Sequence, residues 1–432
     1  PKLGYGLFWL ALFVASLGAG KNAYAAVQCD QTIKADVVVF DSPTVFNRLG
    51  AQNPNWITYA LKRDVVYQDR GNPTNPKNGT PCTSTSASCT AGNVGLRPDK
   101  RPRPLVVRSV EGACLNVTFT NWLDPQKANP NKAEQGVDTL TTTENWQGLF
   151  NDDQVLGRCA SFQATGTEVR DIQSQGAVVG ANVKGEGVNM TGPLDCGAGD
   201  ELAAPNQTVV YNLYTPHEGA YIISSYGATI GSEANSGNLA VGMFGALNVQ
   251  PKGAKIYRSQ VTEEEMRLAT TGTTPGNCVA PSTDTYAHGV DCDPGGQPII
   301  DYEATYPDDC STDGLSDGVW CREGKAGLPI INMLTAGNEL VHSDINAIIA
   351  GPCNDGSWLC TFNSDAAPYP LERKGFNNPA YPNRLEAFRE FTSQYHDEQT
   401  NSQVFPNWYN PVSYTHLTLP TTIGWCRYRW SR

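Results

Sequence analysis

The chain has 432 residues, 40% apolar and 17% charged, with 42 glycines, 29 prolines and a net charge of -12. That length accommodates two or more ordinary domains, and the acidic balance argues against nucleic acid as a partner. The glycine and proline content announces many turns, and the low charge density suits a globular protein.

Residues 1–25 read as a secretory signal peptide. Lys2 is the only early charge, 7–17 is an apolar run, and Ala23-Tyr24-Ala25 forms an A-x-A cleavage signal before Ala26. The run is too short for a permanent span. The expected product is a secreted protein, periplasmic or extracellular, free of the membrane after cleavage. Thirteen cysteines in such a chain point to disulfides. The odd one, Cys426, lies in 413–432, where composition turns abruptly basic and aromatic. That tail reads as translated sequencing-adapter sequence, so the native protein is expected to continue past Val412.

In chain order, 34–40 alternates and predicts a strand, and 55–68 carries one or two more. Residues 69–103 are rich in Asn, Pro, Gly, Ser and Thr and read as a long surface insertion. Cys82 and Cys89 inside it are close enough to staple a small loop. Leu105 to Arg108 predicts a strand, Glu111-Gly112 a turn, and Leu115, Val117 and Phe119 a half-buried return strand, together a hairpin. Residues 153–206 form a polar insertion holding Cys159 and Cys196. Cys114–Cys196 and Cys159–Cys196 both stand open as longer links. A strand over 208–214 follows, then the turn Pro216-His217-Glu218-Gly219. Two apolar runs, 220–226 and 239–249, flank a Gly/Ser/Asn loop and predict adjacent strands of an all-β domain.

Beyond Ala254, Thr262 and Glu265 form a capping box that opens a short helix to about Thr270. Its first-turn acids Glu263, Glu264 and Glu265 suit the helix dipole better than acid–base work. Residues 277–325, with Cys278, Cys292, Cys310 and Cys321, read as a disulfide-tied connector. Residues 328–334 and 339–349 carry β-like runs. Cys353 and Cys360 are spaced to close another local loop. Residues 385–398 fit a helix or a strand.

Four segments share an order with a known pattern. Pro104 to Asn121 falls on P-L-x-V-x-x-G-D-x-V-x-V-x-x-x-N. Asn145-Trp146-Gln147-Gly148-Leu149 falls on H-W-H-G-L. Gly219-Ala220-Tyr221-Ile222-Ile223-Ser224-Ser225-Tyr226 falls on G-T-Y-W-Y-H-S-H, and 242–253 falls on G-L-x-G-A-L-I-V-x-P-x-G. Across roughly 34–254 the chain resembles the first cupredoxin domain of multicopper oxidases. The resemblance implies a Greek-key β-barrel or sandwich of cupredoxin type over 26–255, with long disulfide-bearing loops. A connector over 256–384 and the first strand of a second cupredoxin-like domain over 385–412 would follow. The partners it implies are further cupredoxin domains of the same chain.

The same resemblance locates a loss. In the family, two H-x-H pairs hold copper, and alternation on a strand sets both members of a pair on one face. Here those positions are Asn145, Gln147, Ser224 and Tyr226. Amides and hydroxyls are poor copper ligands beside imidazole, and a phenol loses its proton only near a pKa of about 10. No cofactor is expected in this segment, and any copper would belong to domains past Val412. The five histidines, His217, His288, His342, His396 and His416, form no spaced pair. His217, in its turn, and His396, beside Asp397 and Glu398, are the weak metal candidates. Asp308, Asp309, Asp313 and Asp317 offer oxygen donors without the spacing of an EF-hand. The sequons at Asn78, Asn116, Asn189 and Asn206 bear on the surface only in a glycosylating host.

Three readings remain open. The segment is a non-catalytic, degenerate cupredoxin module of a copper-oxidising parent. Or it is a metal-free secreted β-sandwich with a binding or structural role. Or it is an active copper oxidase with non-standard ligands.

Overall fold

The computed structural model describes residues 28–45, 52–53, 56–84, 88–125, 158–176, 196, 202–226, 239, 242–273, 277–278, 292–293, 298–308, 320–321, 323–350 and 388–395. The signal segment, Asn145 and Gln147, Cys353 and Cys360, His288, His396 and the 413–432 tail lie outside them.

Period-2 alternation builds the first strand. In β1 (Thr32–Asp41), Ile33, Ala35, Val37 and Val39 enter the main core while Lys34 faces solvent. From Val37 onward the other face is buried too, because Val38 and Phe40 meet Ala60, Val65, Cys82, Val94 and Trp122. The 69–103 insertion is therefore more than a surface loop. It places Cys82 and Val94 in this second core, beside a short ladder of Val65–Tyr67 with Val94–Leu96.

The remaining strands of the sandwich are β2 (Ile57–Leu61), β3 (Leu105–Val110), β4 (Cys114–Trp122), β5 (Gln163–Ala164), β6 (Glu168–Val169), β7 (Thr208–Tyr214), β8 (Gly219–Ser224) and β9 (Phe244–Gln250). One sheet runs β6-β7-β4-β1-β2 and the other β3-β9-β8-β5. The chain is all-β in class, as the sequence indicates. The pairs β1/β4 and β3/β9 are parallel and the rest antiparallel. Phe119, Tyr211, Tyr59 and Phe162 fill the space between the sheets, with ring centroids about 6 Å apart.

The expected hairpin over 105–121 does not form. Strands β3 and β4 are consecutive, yet they lie in opposite sheets. The turn's backbone groups are taken by other strands: Glu111 N donates to the Gln250 carbonyl and Gly112 N to that of Thr215. Gly112 has φ +82°, and a Cβ there would stand 2.4 Å from an Asp30 carboxylate oxygen. Nor is β4 simply half-buried. Its alternation holds only as far as Thr118, after which every residue is buried. Alternation identifies a strand but does not name the sheet in which its neighbour lies.

A second crossing lies against the first. Between β7 and β8 the chain passes back to the other sheet through Thr215, which is fully buried. Its hydroxyl shares one proton between the carbonyls of Val110 (2.8 Å) and Ala113 (3.0 Å) and lies 3.2 Å from the Ser109 hydroxyl. Its amide donates to Ala113. One side chain thus ties both crossings together.

Three disulfides are present among the described residues: Cys29–Cys114, Cys82–Cys89 and Cys159–Cys196. Cys114 is joined to Cys29, not to Cys196. The parallel register opposes Thr32 to Cys114, so the chain just before β1 reaches the start of β4.

After β9, the adjoining β10 (Lys255–Arg258) begins a third sheet, completed by β11 (Asn346–Ala350) and β12 (Phe388–Phe391) in the order β10-β11-β12. The region read as helix or strand is therefore a strand at 388–391. Helix α1 (Glu263–Leu268) lies between β10 and β11 in sequence. Thr262 accepts from the Glu265 amide and the Glu265 carboxylate accepts from the Thr262 amide, so the capping box is made as read. Ile256, Met333, Leu340, Ala347 and Ile349 join the sandwich's own core cluster.

Thr215→Val keeps the shape and removes the shared proton. It is expected to destabilise the protein by about 1–3 kcal/mol, read by denaturant unfolding. A loss below a few tenths would show that the crossings hold without it.

Candidate functional site

Two of the four positions singled out in the sequence, Ser224 and Tyr226, fall at the strand rim at the end of β8. Ser224 is the last residue of β8, opposite Phe244 on β9 and Gln163 on β5. Ile223 points into the core, so Ser224 shares the outward side with Ile222. Tyr226 lies past the strand end and is 49% exposed.

The backbone here is held by a polar clamp. Ser161 N donates to Ser225 Oγ (3.0 Å), Tyr226 N donates to Ser161 Oγ (3.0 Å), and the Tyr59 hydroxyl donates to the Ser161 carbonyl (2.6 Å). Burial raises the Tyr59 phenol well above its ordinary pKa, so it stays a protonated donor. The clamp orders the exit of β8 with neutral groups. It presents oxygen donors, not imidazoles, and imidazole is the better copper ligand.

The two histidines among the described residues do not converge. His217 is exposed in its turn, and its carbonyl accepts from the Tyr221 hydroxyl. His342 is buried, with Nε2 2.8 Å from the Pro329 carbonyl. Burial, and then the nearby Arg258, hold its pKa well below the usual imidazole range. A neutral ring donating Nε2–H to that carbonyl satisfies both groups. Asp308 is exposed, and its three acidic companions lie outside the described residues. Among the described residues no three His, Cys, Asp or Glu side chains gather as a metal-holding group.

The strongest electrostatic feature lies elsewhere. Arg108, in the middle of β3, is 0% exposed. Its Nε and Nη2 each lie 3.0 Å from Glu390 Oε1 on β12. Nη1 donates to the Asp344 carbonyl, and Nη2 also donates to that of Ile345 at 3.2 Å. Asn248, the Cα partner of Arg108 on β9, donates to Glu390 Oε1 at 2.7 Å, and Gln250 donates to Oε2. Burial lowers the Arg108 pKa, and Glu390 opposes that.

Asp344 links this centre to a second one. Its carboxylate accepts from Arg258 Nε at 3.2 Å, and Arg258 Nη1 lies 3.2 Å from Glu265 in α1. Burial works against the Arg258 charge, but Asp344 and Glu265 outweigh it and raise the pKa. Burial likewise works against the Glu265 charge, yet Arg258 and the Tyr306 hydroxyl hold that carboxylate below its usual range. A third pair, Arg158 with Asp41 at 3.0 Å, is buried beside Cys159.

Sequence reasoning missed these groups. One signal was present: an arginine inside the apolar run Leu105-Val106-Val107-Arg108 must find a partner if the strand is buried. The partner's identity was not readable, since Glu390 lies 282 residues away.

No family model matches the chain, and no curated protein does. Among solved structures it is similar to a copper nitrite reductase from Nitrosomonas europaea, at 12% identity and a TM-score of 0.23 over 51% of this chain and 42% of that one. It is similar to a multi-copper oxidase from Pseudomonas thermotolerans, at 12% identity and a TM-score of 0.23 over 52% and 31%. A further multicopper oxidase gives 13% identity and a TM-score of 0.24 over 54% and 51%. The chain thus spans from about a third to half of those proteins. At such scores the likeness fixes neither fold nor activity, and the architecture rests on the strand pairing described above.

Glu390→Ala leaves the Arg108 charge buried and unpaired. A loss of about 3–5 kcal/mol is expected, measured by denaturant unfolding. A change under about 1 kcal/mol would show that water or the carbonyls alone satisfy Arg108.

Proposed function

We propose that this segment is an exported, non-catalytic β-sandwich module of cupredoxin type. Its parent would resemble a multicopper oxidase, with any copper-dependent oxidation carried by other domains. The observation that carries the reading is the donor chemistry at Ser224 and Tyr226. The first offers a neutral hydroxyl at a strand end, the second a solvent-exposed phenol beyond it. Their neighbour Ser225 and the Tyr226 amide are engaged with Ser161. Copper needs imidazole or thiolate donors converging on one point, and these groups supply neither.

Two further observations support the reading. Three disulfides suit an oxidising compartment, and among the described residues no helix is long and apolar enough to cross a membrane. The Arg108–Glu390 pair joins a returning strand to the sandwich, a structural use of polar groups. In this reading Ser225 and the Tyr226 backbone, beside the replaced ligand positions, serve strand order.

The test is metal content. The exported chain, offered Cu(II) and Cu(I) and then dialysed, is expected to retain less than one copper ion per chain and to show no oxidase activity. One or more tightly held copper ions would overturn the proposal and favour an oxidase with non-standard ligands.

A further inference from the structure

The joint between the sandwich and the returning segment holds one ionisable ring that has no provision for a charge. His342, shortly before β11, is 7% exposed. Its Nε2–H donates to the Pro329 carbonyl at 2.8 Å, and among the described residues nothing hydrogen-bonds Nδ1. A neutral ring needs only the first bond. A proton taken up at Nδ1 would create a second donor, and that donor would find no acceptor in a buried place.

The charges that act most on the ring are cationic. Burial first, then Arg258 of β10, and more weakly Arg63 just past β2 and Lys100 in the strip before β3, oppose a charge on it. The carboxylates of the same region are already engaged. Asp64 lies 3.1 Å from Lys100 Nζ, Asp344 3.2 Å from Arg258 Nε, and Glu265 3.2 Å from Arg258 Nη1. Asp64 and Glu339 also act on Arg63, whose Nη2 donates to the Gly324 carbonyl at 3.3 Å. Among the described residues no carboxylate stands at ion-pair distance from the ring.

These groups come from both sides of the joint. Arg63, Asp64 and Lys100 belong to the sandwich and its insertion, while Gly324, Pro329, Glu339 and Asp344 belong to the returning segment. The ring therefore sits where the two are tied together.

We propose that His342 makes this joint acid-sensitive: in mild acid a proton added to its ring leaves an unpartnered donor and an unopposed charge between the sandwich and the returning segment, and the protein opens. The folded protein keeps the ring neutral, whereas the unfolded chain takes up a proton near pH 6.5, as an ordinary histidine does at about that value. Stability from this group is therefore fully present above about pH 6.5 and is lost as pH falls below it. The unfolding constant then rises by up to about tenfold per pH unit. Because both regions contribute to one core, the whole body responds. The device is independent of the strand rim at Ser224 and of how that rim is read.

The test is denaturant unfolding of the protein from about pH 8 to about pH 5, for the wild type and for His342→Gln. Glutamine keeps a side-chain N–H for the Pro329 carbonyl and takes up no proton. Over that range the wild-type unfolding constant is expected to rise about thirtyfold more than the variant's. Proton NMR of the folded wild type, which needs no variant to fold, should show the His342 ring still neutral at about pH 5.5. The same pH dependence in variant and wild type would overturn the proposal. So would a His342 ring that titrates near about pH 6.5 in the folded protein.

Discussion

A guanidinium with no access to water has to be met by the protein, and Arg108 imposes that demand on this structure. It sits at the centre of β3, on the face turned away from Val107 and the core. Meeting it takes a carboxylate from β12, two backbone carbonyls from the approach to β11, and two amide side chains from β9 that share the carboxylate. Each of these elements must therefore lie over the β3–β9 sheet. The third sheet is positioned by charge as much as by apolar burial.

The two sheet crossings make that demand possible. Because β3 and β4 part into opposite sheets, β3 is free to pair in parallel with β9, and this pairing sets Arg108 beside Asn248. Thr215 binds the crossings to each other, so the strand registers on both sides of the core share one anchor. Packing, hydrogen bonding and charge pairing thus follow one another outward from the turn at Gly112.

How much of this was legible depended on sequence distance. The α1 cap was readable because Thr262 and Glu265 are three residues apart. The Cys82–Cys89 loop was readable for the same reason, with a separation of 7. Strands declared themselves through alternation, and β8 and β9 paired as adjacent runs. The β3–β4 hairpin misled because alternation reports a strand's faces and not its sheet. Cys29–Cys114 was missed because the link depends on a parallel register between strands far apart in sequence. At the rim, the sequence frame placed Ser224 and Tyr226 on one strand, and the structure ends that strand at Ser224. The polar residues of the 69–103 insertion disguised Val94 and Cys82, which cover the outer face of β1.

The sandwich and the strands that return to it form one cooperative body around a shared core. Main-core residues drawn from both regions, from Ile33 to Ile349, argue for this. Native-state hydrogen exchange tests it most directly, since separable units open with separate free energies. Amides of β10, β11 and β12 should exchange with the same free energy as those of β4 and β7, by global unfolding alone. Exchange of the three outer strands at a clearly lower free energy, with β4 and β7 still protected, would contradict the account.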